Sequence, residues 1–177
     1  KNLGRRVELA RKDTQVRAVD EVFASSVFYT AASQRRIELL RQRFGDAITF
    51  GGSGVDLQRR LPPEIEALPP DYSLYPELGD RALGFVTRGC PLRCSFCVVP
   101  EKEGGVRVAT DLGSLLQGSR TKLILLDDNI LSHPRAADLL EEMAARDIAV
   151  NFTQTMDLRM VDETLAKPIR RIRCSNT

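Results

Sequence analysis

The chain predicts an α/β fold, and three observations carry that prediction. Short apolar, β-branched runs alternate with stretches whose apolar residues recur at helical spacing. A strand–helix–strand unit stands near the start, which implies parallel pairing and a right-handed crossover. Polar residues gather where successive strands end, the edge at which parallel α/β architectures build their sites.

The first strand is "DEVFASSVFY" (20–29), β-branched and aromatic enough to be buried. "TAASQRRIELLRQRFGD" follows as a helix, with Ile37, Leu40 and Phe44 at helical spacing and Gly45 as its stop. "AITFGGSG" (47–54) reads as a second short strand running into glycines. Together they predict a small Rossmann-like lobe over residues 1–57. Its "GGSG" reads first as a plain turn, and second as a place where backbone meets a ligand.

Residues 58–80 hold five of the nine prolines. Proline removes backbone donors and fixes φ, so this stretch is expected to be an extended linker rather than helix or sheet. Beyond it, "ALGFVTRGC" (82–90) predicts a strand that delivers cysteines at its C-terminal end. "ATDLGSLLQGS" (109–119) predicts a helix with Thr110 as N-cap, and "TKLILLDDNI" (121–130) an apolar strand. "HPRAADLLEEMAARD" (133–147) predicts a helix with Pro134 near its start, and "IAVNFTQTMDLRM" (148–160) a strand whose far end turns polar. "VDETLAKPIRRIR" begins a further helix that Pro168 would interrupt early. About three βα units are therefore expected over 81–177. The chain begins with Lys and stops after a helical pattern, and both ends read as those of a fragment.

Composition excludes several function classes. With 26 Lys+Arg against 24 Asp+Glu, a balance of +2 gives no indication of nucleic acid as a partner. Basic residues do cluster in "RRIELLRQR" (35–43), but at helical spacing, which marks a solvated helix face. No apolar run approaches the ~20 residues of a membrane span, and the charged start carries no signal-peptide core. A cytoplasmic location without membrane contact is expected. There thiols stay reduced, and a local cysteine cluster means metal or catalysis more often than a disulfide.

That cluster is "RGCPLRCSFCVVP" (88–100), with Cys90, Cys94 and Cys97 at a four-then-three spacing. Cys94 and Cys97 can bind one metal centre from a tight loop, and Cys90 can close over it. Arg88 and Arg93 flank the loop, and positive charge favours thiolate. Structural zinc wants four protein ligands, usually as two pairs. Here the remaining candidates, His133 and Cys174, are single and far along the chain. Three cysteines instead suit a cubane iron–sulfur cluster whose fourth iron takes an exogenous ligand.

In this motif the chain resembles the radical S-adenosylmethionine superfamily, whose signature is Cys-x3-Cys-x2-Cys with an aromatic before the third cysteine, here Phe96. "LPPEIEALPPDYSLYP", "CVVPEKEGG" and "LLDDN" extend the likeness to a group that often carries a cobalamin-binding-like lobe ahead of its barrel. The resemblance implies an incomplete (β/α)6 radical S-adenosylmethionine partial barrel over 81–177, where the superfamily core has six units. It implies that Cys90, Cys94 and Cys97 hold a 4Fe–4S cluster, and that S-adenosylmethionine chelates the open iron. One electron then yields methionine and a 5′-deoxyadenosyl radical that abstracts hydrogen from an unknown substrate. Phe96 would lie by the adenine. Asp127, Asp128 and Asn129 stand where the family holds the cofactor's amino group, with Asp128 or Asn129 favoured. Gln154, Asp157 and Arg159 are further candidates for the ribose and the methionyl carboxylate, although Asp157 and Arg159 also read as a simple pair. An electron donor of flavodoxin or ferredoxin type is implied. Cobalamin itself is disfavoured, because the first lobe lacks Asp-x-His-x-x-Gly and the sole histidine lies elsewhere. It could still bind without a protein ligand to cobalt.

Two other readings stand beside this one. The cysteines would hold zinc or a cluster in a non-catalytic binding module, or the chain would belong to an RNA-modifying enzyme of the methylthiotransferase kind. The latter usually has three more cysteines upstream, and residues 1–89 contain none.

Overall fold

The structure, a computed structural model, describes residues 4–154 and 156–175. Residues 1–3, 155 and 176–177, which the expected lobe, third strand and core include, lie outside the described residues. The chain divides into two compact units between Glu66 and Ala67.

In the first unit β1 (Val22–Ser25) leads into α1 (Ala31–Phe44) and then β2 (Ile48–Gly51), and the two strands pair in parallel. Thr30 caps α1 by accepting from the Ser33 N–H, and the Ser33 hydroxyl accepts from the Thr30 N–H in return. The periodicity works as expected: Ile37 is buried with Ile48 and Phe50, and Leu40 and Phe44 pack on them. The "GGSG" turn is a close backbone approach. Gly54 donates to the Ser26 carbonyl at 2.8 Å, and any Cβ at Gly54 would collide with the Phe28 backbone.

The proline-rich stretch is not extended throughout, contrary to expectation. Pro63–Glu66 form a single turn of helix, α2, and residues 72–74 and 76–78 form 3-10 turns. Proline is tolerated in the first turn of a helix because that turn's N–H groups lack intrahelical partners anyway. More importantly, Tyr72 is an anchor of the second unit. Its ring is buried, its hydroxyl accepts from the Leu83 N–H at 3.0 Å and donates to the Leu115 carbonyl at 3.0 Å, and Arg120 stacks over its face.

The second unit is built on a four-stranded parallel sheet. Along the chain come β3 (Arg81–Gly84), β4 (Thr87–Arg88), α3 (Val99–Glu103), β5 (Arg107–Val108), α4 (Leu112–Leu116) and β6 (Lys122–Leu125). They are followed by α5 (Ala136–Ala145), β7 (Ala149–Phe152), α6 (Glu163–Ile169) and β8 (Arg173–Cys174). The sheet order is β3-β6-β7-β8, each pair parallel and each strand beside its predecessor in that series. One register row, Ala82–Leu123–Val150, is fully buried in the core with Leu115, Leu140 and Met143 of the connecting helices. The next row, Leu83–Ile124–Asn151, points to the other face and is half-buried, as the period of two requires. Among the described residues no helix is long and apolar enough to cross a membrane.

Several expected boundaries move. The strand expected over 82–90 breaks after Gly84, and Thr87–Arg88 pair instead with Arg107–Val108 in a separate antiparallel ribbon. The N-cap of α4 is Asp111, not Thr110, since the Asp111 carboxylate accepts from the Ser114 N–H at 2.9 Å. Strands β6 and β7 end at Leu125 and Phe152, so the polar residues after them belong to loops. Pro168 lies in the last turn of α6 rather than near its start. Cys174 sits on a fourth strand, paired with Val150.

Candidate functional site

The three cysteines lie on the loop between β4 and α3, and the ribbon β4–β5 closes the base of that loop. Gly89 makes the turn out of β4 with φ +82°, a conformation that favours glycine. A Cβ there would lie 2.6 Å from the Gly105 carbonyl oxygen, so the two ends of the loop touch backbone to backbone. Cys94 and Cys97 share one turn, with the Cys97 N–H donating to the Cys94 carbonyl at 3.0 Å.

Ribbon formation has an electrostatic obstacle, because Arg88 and Arg107 face each other across the two strands. Like charges so placed repel. Glu103 resolves this: its side chain is only 5% exposed and its carboxylate bridges Arg88 at 3.2 Å and Arg107 at 3.1 Å. The sequence reads Glu103 equally as part of a surface turn and as a residue that shapes the loop over the cluster. The signal that could have identified it is an acid amid the basic residues Arg88, Lys102 and Arg107.

The polar residues after β6 reach toward this loop. Asp127 is buried, and its two carboxylate oxygens accept the N–H groups of Val86 and Thr87. Burial pushes its carboxyl up to about 6, against the pull of those N–H donors. Asp127 therefore clamps the backbone between β3 and β4. Asp128 accepts from the Gly89 N–H at 2.9 Å through one oxygen. Burial raises its carboxyl, that N–H opposes the rise, and the Glu103 charge adds to it. Asn129 is 2% exposed; its Oδ1 accepts from the Asp157 N–H at 3.3 Å, and its Nδ2 faces Met160 Sδ at 3.3 Å and Cys90 Sγ at 4.0 Å.

After β7 the candidates divide. Asp157 and Arg159 form a two-pronged ion pair, 2.9 Å on each prong. The pair lowers the Asp157 carboxyl and raises the Arg159 guanidinium, to which Cys94 adds a smaller effect in the same direction. Gln154 is exposed, and Phe96 is 91% exposed at the tip of the loop. Met160, unremarked in the sequence, joins the site through Asn129. No periodicity or motif marks it.

Whether these residues fit a metal centre turns on the donor set. Among the described residues no three His, Cys, Asp or Glu side chains are gathered closely enough to hold a metal ion as they stand. The donors themselves are three free thiols on one loop, with none committed to a disulfide. Soft thiolates of this kind suit an iron–sulfur cluster. A fourth protein ligand is not at hand in the obvious places. Cys174 pairs with Val150 near the start of β7, away from the strand ends, and His133 Nδ1 accepts from the Arg135 N–H at 3.0 Å, a bond that engages one ring nitrogen and not Nε2. By donor chemistry alone, three thiolates are compatible with a cluster that keeps one iron open to an exogenous ligand. No protein-family model matches the chain, and no curated protein matches it.

Proposed function

We propose that the chain carries the cluster site of a radical S-adenosylmethionine enzyme. The observation that supports this most strongly is the three-thiol loop, pinned by a ribbon and three carboxylates beside the strand ends of a parallel sheet. Sheet order supports a (β/α)6-type partial barrel as the architecture. Strands in the order β3-β6-β7-β8 add to one side with no reversal, and right-handed crossovers then place all helices on one face. The half-buried row Leu83–Ile124–Asn151 becomes the barrel's inner face.

Cys90, Cys94 and Cys97 hold the 4Fe–4S cluster, which supplies the single electron that cleaves the sulfonium of S-adenosylmethionine. The chain's other residues bind and orient that cofactor. Asp128 has one carboxylate oxygen on Gly89, and its other oxygen would accept from the cofactor's ammonium. Arg159, 75% exposed, pairs with the methionyl carboxylate. Phe96 presents an aromatic face for adenine, and Gln154 donors for the ribose. Asp127, with each oxygen on a backbone donor, holds the loop and contacts no ligand.

Anaerobic reconstitution with iron and sulfide, followed by electron paramagnetic resonance of the reduced protein, tests the proposal. A 4Fe–4S signal that changes when S-adenosylmethionine is added is expected. Colourless protein with tightly bound zinc would overturn it.

A further inference from the structure

We propose that Asn129 is the donor that orients Cys90 and tunes the electronic environment of its sulfur, an inference that rests on the cluster reading above. Asn129 is almost wholly withdrawn from water. Its Oδ1 faces the Asp157 N–H at 3.3 Å, and this settles the orientation of the amide, because only an oxygen can accept there. Nδ2 is thereby left with two sulfurs, Met160 Sδ at 3.3 Å and Cys90 Sγ at 4.0 Å.

Thiol and thioether sulfurs are weak acceptors, so a dry primary amide facing two of them is poorly satisfied while Cys90 is a thiol. Once Cys90 carries charge as a metal-bound thiolate, the same N–H makes a charge-assisted bond. Donors to ligand sulfurs stabilise the electron-rich state of a cluster and raise its reduction potential. The amide nitrogen has two N–H donors, one for each sulfur, and Met160 keeps it in place while Cys90 is unligated. Asn129 is thus a positioning residue, acting through Cys90.

The test compares reconstituted wild type with N129L, N129D and M160L. Each cluster takes one electron from dithionite, and the midpoint is followed by electron paramagnetic resonance. N129L removes the donor at similar shape, and the midpoint is expected to fall by about 59 mV, a tenfold change in the one-electron equilibrium. N129D puts an anion there and should lower it further. M160L, which removes the second sulfur but keeps the donor to Cys90, should leave it near the wild-type value. Should N129L fail to fold, N129D carries the comparison. An unchanged midpoint in both Asn129 variants overturns the proposal while the cluster reading stands, whether or not cluster content falls. Wild type that takes up no iron overturns the cluster reading, and this proposal with it.

Discussion

The carboxylate of Asp128 accepts the backbone N–H of Gly89 at 2.9 Å, one residue before Cys90. A loop residue after one sheet strand thus holds the residue that launches the cysteine loop from another. That bond separates two functions that one side chain can be assigned. D128A leaves the Gly89 N–H without its partner, which costs about 1–3 kcal/mol and should lower both loop stability and retained iron. D128N keeps an acceptor for Gly89 but removes the charge. Its iron content should match wild type, while calorimetry on the reconstituted protein should show S-adenosylmethionine binding weakened about tenfold, the ~1.4 kcal/mol scale of one charged hydrogen bond. Equal cofactor binding by D128N and wild type would remove Asp128 from the cofactor site.

Asp127 predicts a pH dependence of definite sign. Its carboxyl is pushed up from 3.8 to about 6 by burial, so the native state keeps the proton to higher pH than the unfolded chain. The stability it contributes is complete below about pH 4 and is lost as pH rises through about 6. A shift of that size corresponds to about 3 kcal/mol. D127N does not titrate, so urea unfolding of wild type and D127N between pH 4 and 7 should converge as pH rises, wild type losing ground. Parallel curves would show that Asp127 titrates alike in both states.

Glu103 should control the order of the cysteine loop rather than the stability of the sheet. E103Q keeps the shape but removes the carboxylate charge that bridges Arg88 and Arg107. Glu103 is buried but its arginine partners are partly exposed, so solvent screens the bridge and its loss costs about 1–2 kcal/mol, which falls on a two-residue ribbon. Trypsin should then cut at the exposed Arg93 about tenfold faster, with the main unfolding transition little changed. Unchanged cleavage at Arg93 would show that the ribbon stands without Glu103.

Much of the sheet and its helices was legible because apolar periodicity reports burial directly. Leu123, Leu125 and Val150 are buried strand residues, and Leu139, Leu140 and Met143 are a buried helix face, as their spacing implies. What could not be read was carried by single long-range bonds. Tyr72 lies among prolines that signal an extended chain, yet its hydroxyl serves both Leu83 and Leu115. Two-residue strands such as Thr87–Arg88 are too short to show a period of two. At the site, the cysteine spacing named the loop, and "LLDDN" named the segment beside it. Which of its residues face backbone and which face sulfur depends on where β6 ends, and strand ends are the least legible part of any pattern.

The last prediction separates backbone strain from backbone contact at the mouth of the loop. Gly89 and Gly104 both have positive φ, +82° and +72°. A Cβ at Gly104 would meet nothing within 4 Å, whereas one at Gly89 would lie 2.6 Å from the Gly105 carbonyl oxygen. Both G89A and G104A therefore incur a positive-φ penalty of about 1–3 kcal/mol. Only G89A must also push apart two stretches of backbone that have no side-chain freedom to yield, and Cys90 moves with them. Reconstituted G104A should hold close to the wild-type iron, and G89A clearly less, at equal far-ultraviolet circular dichroism. Equal iron in the two variants would mean that the loop closes around its ligand whatever the spacing at Gly89 and Gly105. Loss in both would mean that φ, rather than the contact, sets the geometry of the three thiols.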